Sequence, residues 1–204
     1  MEQAQEKDSK DVLLFLDASH FVMGCDFLGY IYGDARRMVK TWSGRKRYNV
    51  LGVMDYATKS MLTISNDEYI TATQVCSALK KISEKYVDKN IHIILDNARY
   101  QKCKAVHAVA KEFDIHLEYL PPYSPNLNLI ERVWKFVKGE LRTKYYDDFK
   151  VFCEKIDFIV DGMANQYKEQ MDSLLGKGVQ LFDSLEPVAP NTYAPSHTET
   201  SVAA

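Results

Sequence analysis

Three carboxylates in this 204-residue chain stand where folding alone gives an acid little to do. Asp17 follows the apolar run VLLFL (residues 12–16), Asp96 follows IHIIL (91–95), and Glu131 lies in the first turn of a helical stretch after LEYLPPYSPNLNLI. Both apolar runs read as strands buried on two faces, and a strand so buried has no ordinary use for a carboxylate at its end. Structural roles stay open at this point: Asp17 as a turn residue ahead of Ala18-Ser19, and Glu131 as part of a capping box Asn128-Leu-Ile-Glu131. Brought together, the three repel. At about 4 Å and an effective dielectric near 20, each pair costs on the order of 4 kcal/mol. Raised pKa values or divalent cations can relieve that repulsion, and nothing in the sequence marks the acids for the first. No Cys/His set competes for a metal, so an all-oxygen site favours Mg²⁺ or Mn²⁺. Two such ions about 3.5–4 Å apart suit phosphodiester displacement, one activating the attacking oxygen and one stabilising the leaving oxygen. The shared ligand belongs on the central strand. Asp17 is then the bridging acid, with Asp96 and Glu131 each favouring one ion.

Basic residues cluster in two places. On a helix at about 100° per residue, Ile130, Trp134, Val137 and Leu141 form an apolar stripe. Glu131, Lys135, Lys138 and Arg142 form a second stripe about a quarter-turn away. One acid followed by three aligned cations suits a metal-binding carboxylate beside a phosphate track; a capped helix with a solvated basic face is the other reading. The stretch RRMVKTWSGRKR holds Arg36, Arg37, Lys40, Arg45, Lys46 and Arg47 with no acid, and Trp42 among them. Cations interleaved with an aromatic suit backbone phosphates and an unstacked base, or else a solvated loop.

The elements that must position these residues follow from pattern. Residues 18–47, with four glycines, read as irregular. Residues 48–55 and 60–65 read as a β-hairpin about Tyr56-Ala-Thr-Lys59, with Asp55 at the turn and no chemistry assigned to it. Thr71-x-x-Gln74 is a capping box for a helix carrying Val75, Leu79, Ile82 and Tyr86, ending near Asp88. The strand 91–95 follows, with His92 as a sheet residue. Next come a helix faced by Cys103, Val106, Ala110 and Phe113, and a strand over 115–120. Pro121, Pro122 and Pro125 stop that strand and set where the Glu131 helix begins. Asp147 or Asp148 caps a further helix bearing Phe149, Phe152, Ile156, Ile159, Val160 and Met163, and a shorter helical piece reaches about Gly176. The order implies an α/β fold: a mixed five-stranded sheet, three antiparallel strands and then two parallel, flanked by helices. The expected organisation is a disordered leader over 1–10, one domain over 11–176, and a largely disordered tail over 177–204, rich in Pro, Ala, Ser and Thr at its end.

The totals are globular, with 46% hydrophobic and 26% charged residues. A net charge of −2 gives no global pull on nucleic acid, so binding must rest on a local patch. No apolar run is long enough to span a membrane, and the polar start is not a signal peptide. Cys25, Cys76, Cys103 and Cys153 are widely spaced, three of them in helical or apolar contexts, which points to a reduced, cytosolic compartment.

FLDASHF around Asp17, ILDNARYQ around Asp96 and LPPYSPNLNLIERVWKFVK around Glu131 resemble the Asp-Asp-Glu catalytic core of transposases. The branch they are similar to is the bacterial insertion-sequence relatives of the mariner superfamily, whose spacing between second Asp and Glu matches the 34 residues of 97–130 here. The resemblance covers roughly residues 11–160 and implies a ribonuclease H-like fold with two metal ions, Mg²⁺ or Mn²⁺, on Asp17, Asp96 and Glu131. It implies cleavage at element ends and attack of the freed 3′-OH on target DNA, commonly at TA, with Asn97 beside the metals or against DNA. Gln101 stands where many relatives carry His, and Leu129 where they carry Pro. Family members also carry helix-turn-helix domains before the core, so recognition of element ends is expected from an absent segment or a separate upstream product. The expected partners are double-stranded DNA at transposon ends and target, and a second copy of the chain in a homodimer. The expected location is the prokaryotic cytoplasm, nucleoid-associated when bound. A reading of another class is a non-catalytic DNA-binding or dimerising remnant that regulates a full-length transposase.

Overall fold

A thirteen-residue strand, β1 (Asp11–Met23), runs through the middle of a five-stranded sheet. The computed structural model describes residues 10–23, 45–121, 127–142 and 144–176. The expected leader up to residue 9, Cys25, the basic residues Arg36, Arg37 and Lys40 with Trp42, most of the proline elbow, and the tail from 177 lie outside the described residues. After β1 come β2 (Lys46–Asp55), β3 (Met61–Asn66), α1 (Ala72–Lys85), β4 (Asn90–Leu95), α2 (Lys104–Glu112) and β5 (Ile115–Tyr119). Then follow α3 (Ile130–Leu141), α4 (Phe149–Asp161) and α5 (Lys168–Gly176). The strand order is β3-β2-β1-β4-β5. β2 pairs antiparallel with β1 and β3, while β4 pairs parallel with β1 and β5, the mixed sheet that the pattern predicts.

Alternation of side chains along the strands divides the core into two layers. Leu14, Leu16, Leu51, Val53, Ile93 and Leu95 pack against α1 and α2. Phe15, Phe21, Val50, Met54 and Ile94 pack against α3, α4 and α5. Continuous apolar runs were needed because both faces are covered. Asp17 shares its parity with Phe15 and Phe21, and Asp96 with Ile94, so both acids belong to the α3 side.

Three expectations are corrected. β1 does not stop at Leu16, and residues 18–23 are strand rather than irregular. Pairing with β4 ends at Leu16 opposite Leu95, yet pairing with β2 continues to Met23 opposite Lys46, so β2 satisfies the backbone of the extension. α1 ends at Lys85 rather than near Asp88, whose φ of 59° is incompatible with helix. The Thr71–Gln74 capping box at its start is present, and Asp148 caps α4. The capping box expected at α3 does not form: the N-cap is Leu129, in helical conformation and with no side-chain bond. Asn128 is engaged elsewhere. Cys76, Cys103 and Cys153 are free thiols, half-buried against the core. Among the described residues no helix is long and apolar enough to cross a membrane.

Candidate active site

The sheet delivers two of the acids side by side. Leu16 opposite Leu95 is the last parallel pair between β1 and β4, and Asp17 and Asp96 are the residues that follow them. The third acid, Glu131, comes from the first turn of α3, which packs on the same face. Directly across β2 from Asp17 lies Gly52. A Cβ at Gly52 would stand 2.5 Å from two ring carbons of Trp134. Glycine there leaves a slot that the indole fills, and Phe21 meets the ring edge-on at 6.1 Å. The buried indole N–H has no well-formed hydrogen bond, and it acts on Asp17, whose pKa it lowers.

The electrostatics show that the three acids share one environment. Burial pushes Asp17 up to about 7; the Ala18 N–H opposes this, and Asp96 and Glu131 raise it further. Glu131 is also raised, by burial first and by Asp96 second, with Lys138 pulling it down. Tyr100 stands on the same cluster: burial lifts its phenol to about 12, and Asp17 and Asp96 add to the rise. Sequence reasoning anticipated no relief through proton affinity, and that is corrected here. Burial, which no local pattern reveals, makes two of the side chains hold protons more tightly.

Asn128 is fully buried beside these acids. Its Nδ2 donates to the Leu16 carbonyl at 3.2 Å and to Asp96 Oδ1 at 3.3 Å, while its Oδ1 has no hydrogen-bond partner among the described residues. Asn97 is differently placed: its amide donates to the Leu120 carbonyl and ties the end of β4 to the end of β5. Gln101 is buried in the core, and Tyr119 donates its hydroxyl to the Gln101 backbone carbonyl.

A cleft of about 520 Å³ opens beside Asp17. β1 contributes Asp17, Ala18, Ser19 and His20 to its wall, and α3 contributes Glu131, Trp134, Lys135, Lys138, Gly139 and Arg142. The acid-then-cation stripe of α3 therefore faces the cleft, with Lys135, Lys138 and Arg142 exposed. Lys138 Nζ rests 5.7 Å above the Phe21 ring. Burial lowers the pKa of His20, and the charges of Lys138 and Arg47 add to that. Arg45 is exposed, whereas Lys46 lies over the Phe149 ring of α4 at 5.6 Å. Asp96 does not line this cleft and acts on the other two acids from the end of β4.

Hard oxygen donors only, with Asp17 and Glu131 raised in proton affinity by burial and then by neighbouring acids, suit a divalent cation. The unpartnered Asn128 Oδ1 adds a buried acceptor next to them. Among the described residues no three His, Cys, Asp or Glu side chains are gathered closely enough to enclose a metal ion as they stand. Like charges in a poorly hydrated cleft repel, so drawing them closer takes a cation between them.

Residues 12–153 match the family model of the DDE superfamily endonucleases. The chain belongs to that family. No individual protein of curated function matches this DDE endonuclease sequence significantly. Solved structures do resemble it. The Mos1 mariner paired-end complex with Mn superposes with a TM-score of 0.59 at 13% identity, over 86% of this chain and 57% of that one. The Mos1 paired-end complex with left transposon end gives 0.57 at 13% identity, over 86% and 57%. The catalytic domain of Mos1 mariner transposase gives 0.55 at 12% identity, over 86% and 84%. At such identities the likeness concerns the fold, and the sheet and its helices are those of ribonuclease H-like transposase catalytic domains. This DDE endonuclease chain spans little more than half of the chains in the paired-end complexes.

Proposed function

We propose that the chain is the catalytic domain of a DNA transposase of the bacterial insertion-sequence branch, cleaving phosphodiesters at transposon ends and transferring the freed strand. The observation that carries this reading is the meeting of Asp17, Asp96 and Glu131 in one electrostatic environment, from a central strand, its parallel neighbour and a helix. The family match, the 34-residue spacing and the block PPYSPNLNLIE support the assignment.

Asp17, Asp96 and Glu131 would hold two Mg²⁺ or Mn²⁺ ions; the Mn-containing Mos1 complex and the all-oxygen donors favour that choice. When bound, such ions supply Lewis acidity to the attacking and leaving oxygens of an in-line displacement. The chain's own residues do the rest. Lys135, Lys138 and Arg142 lie along the cleft, where their charges take the phosphates of double-stranded DNA and lead the backbone to the acids. Trp134 fills the space beside Asp17, limits water there and keeps α3 in register with β1. Two transposon ends need two copies of the site, so the working form is a homodimer.

The test is nicking of supercoiled DNA by the purified chain with Mg²⁺ or Mn²⁺. Glu131→Gln and Asp96→Asn should abolish nicking while leaving circular dichroism unchanged. Retention of nicking in both variants would refute the assignment.

A further inference from the structure

The geometry points to Asn128 as the residue that positions the three acids relative to one another, a clasp touching every segment that carries one. This inference rests on the metal-binding reading above. Three contacts support it. The side-chain amide donates to the Leu16 carbonyl, the residue before Asp17. The same Nδ2 donates to the carboxylate of Asp96. The backbone carbonyl of Asn128 accepts the N–H of Glu131 at 3.1 Å.

The orientation of the amide is decided by its surroundings. Both neighbours of Nδ2 are acceptors, so the opposite flip would set oxygen against a carbonyl and a carboxylate. The contact occupies one lone-pair direction of one Asp96 oxygen and leaves the other oxygen free to ligate. Buried groups that hydrogen-bond a metal-binding carboxylate fix its direction, and their loss typically lowers metal affinity about 10–100-fold. Asn128 also leaves Oδ1 buried without a donor. A buried acceptor so placed is destabilising, and an ordered water held among the acids would satisfy it. The side-chain amide is turned to β1 and Asp96, and not to helix capping.

Asn49→Ala is the control. It removes the bond of another buried amide, to the Glu68 carbonyl, with no contact to Asp17, Asp96 or Glu131 among its hydrogen bonds. Mn²⁺ binding by the full chain would be measured by calorimetry, with thermal midpoints recorded for each variant. Asn128→Ala should bind Mn²⁺ at least about ten-fold more weakly, while Asn49→Ala loses thermal stability but stays within about two-fold of the parent. Should Asn128→Ala fail to fold, Asn128→Ser, which keeps a short donor, carries the comparison and should fall between the two. Parent-like Mn²⁺ affinity in the folded Asn128 variant would reduce the residue to a structural tie and overturn the inference, leaving the assignment of the acids intact. A parent chain that binds no Mn²⁺ would refute that assignment, and this inference with it.

Discussion

Asp17→Asn should make the protein more stable at neutral and alkaline pH while abolishing nicking. Burial is the first cause of the high Asp17 pKa, with repulsion from Asp96 and Glu131 adding to it. A carboxyl that titrates near 3.8 in the unfolded chain and at about 7 in the folded one retains a proton on folding between those values. Stability is therefore undiminished below about pH 4, falls as the pH rises through about 7, and is flat above. The rise from 3.8 to about 7 sets a ceiling of about 4 kcal/mol on the penalty. Relaxation of Glu131 and Asp96 reduces it, so the expected gain for the variant is on the order of 2 kcal/mol at pH of about 8.5. Asn keeps the shape of Asp and an oxygen able to accept the Ala18 N–H, so the gain isolates the charge. For a chain of this size that gain is an increase in Tm of about 4–8 °C. Urea melts with a chelator present, at pH of about 4.5 and about 8.5, would read it. The two proteins should nearly coincide at the lower pH and separate at the higher. A variant no more stable than the parent at the higher pH would refute the claim that Asp17 is held as a destabilised anion.

Gly52→Ala places a methyl group where 2.5 Å separates it from the Trp134 ring, so the indole must leave its slot. The expected result is a loss of about 1–3 kcal/mol in urea melts together with weaker nicking; an unchanged midpoint would remove Gly52 from the placement of α3. Along the cleft, Lys138→Ala should weaken DNA binding without altering sequence preference and reduce the salt dependence of log K by about one. Burial first, and then the nearby charges of Lys138 and Arg47, lower the pKa of His20. Protonation adds a cation to the track, and DNA binding should tighten on acidification in the parent but less so in His20→Ala, measured by fluorescence anisotropy.

What was legible in the sequence and what was not divides by range. VLLFL-Asp17 and IHIIL-Asp96 announce buried strand segments followed by acids within six residues each, and the parity of Phe15 and Ile94 carries over to the acids. The α3 stripe is legible for the same reason, since Trp134, Val137 and Leu141 repeat at helical spacing and are all buried. The β1 extension was not legible. Ala18-Ser19-His20 has no apolar alternation, and its strand character comes from β2 residues 48–52, far along the chain. Asn128 misled because S/T/N-x-x-E is a local capping signature, whereas its partners Leu16 and Asp96 are 112 and 32 residues away. Gly52 within an apolar β run was a visible sign of close approach, but nothing local named Trp134 as the group approaching. The pKa of Asp17 depends on burial summed over the whole fold.

These long-range contacts explain how Glu131 is aimed although no hydrogen bond between side chains anchors it among the described contacts. It lies three residues after Asn128, which precedes the helix, and three before Trp134 within it. Asn128 is tied to β1 and β4 on one side, and Trp134 is wedged over Gly52 on the other. The first turn of α3 is thus clamped at both ends, and the Glu131 backbone between the clamps has little freedom left. The same clamp orients every later turn. Lys135 and Arg142 are seven residues apart, about 10 Å of helix at 1.5 Å per residue, or about three base pairs of duplex at 3.4 Å each. If DNA lies along α3, placing Glu131 also places the cations that meet the next phosphates. On the proposed function, a shift of the helix against β1 would misplace acid and track together, and the Trp134 slot and the Asn128 bonds would set both chemistry and DNA register through one element.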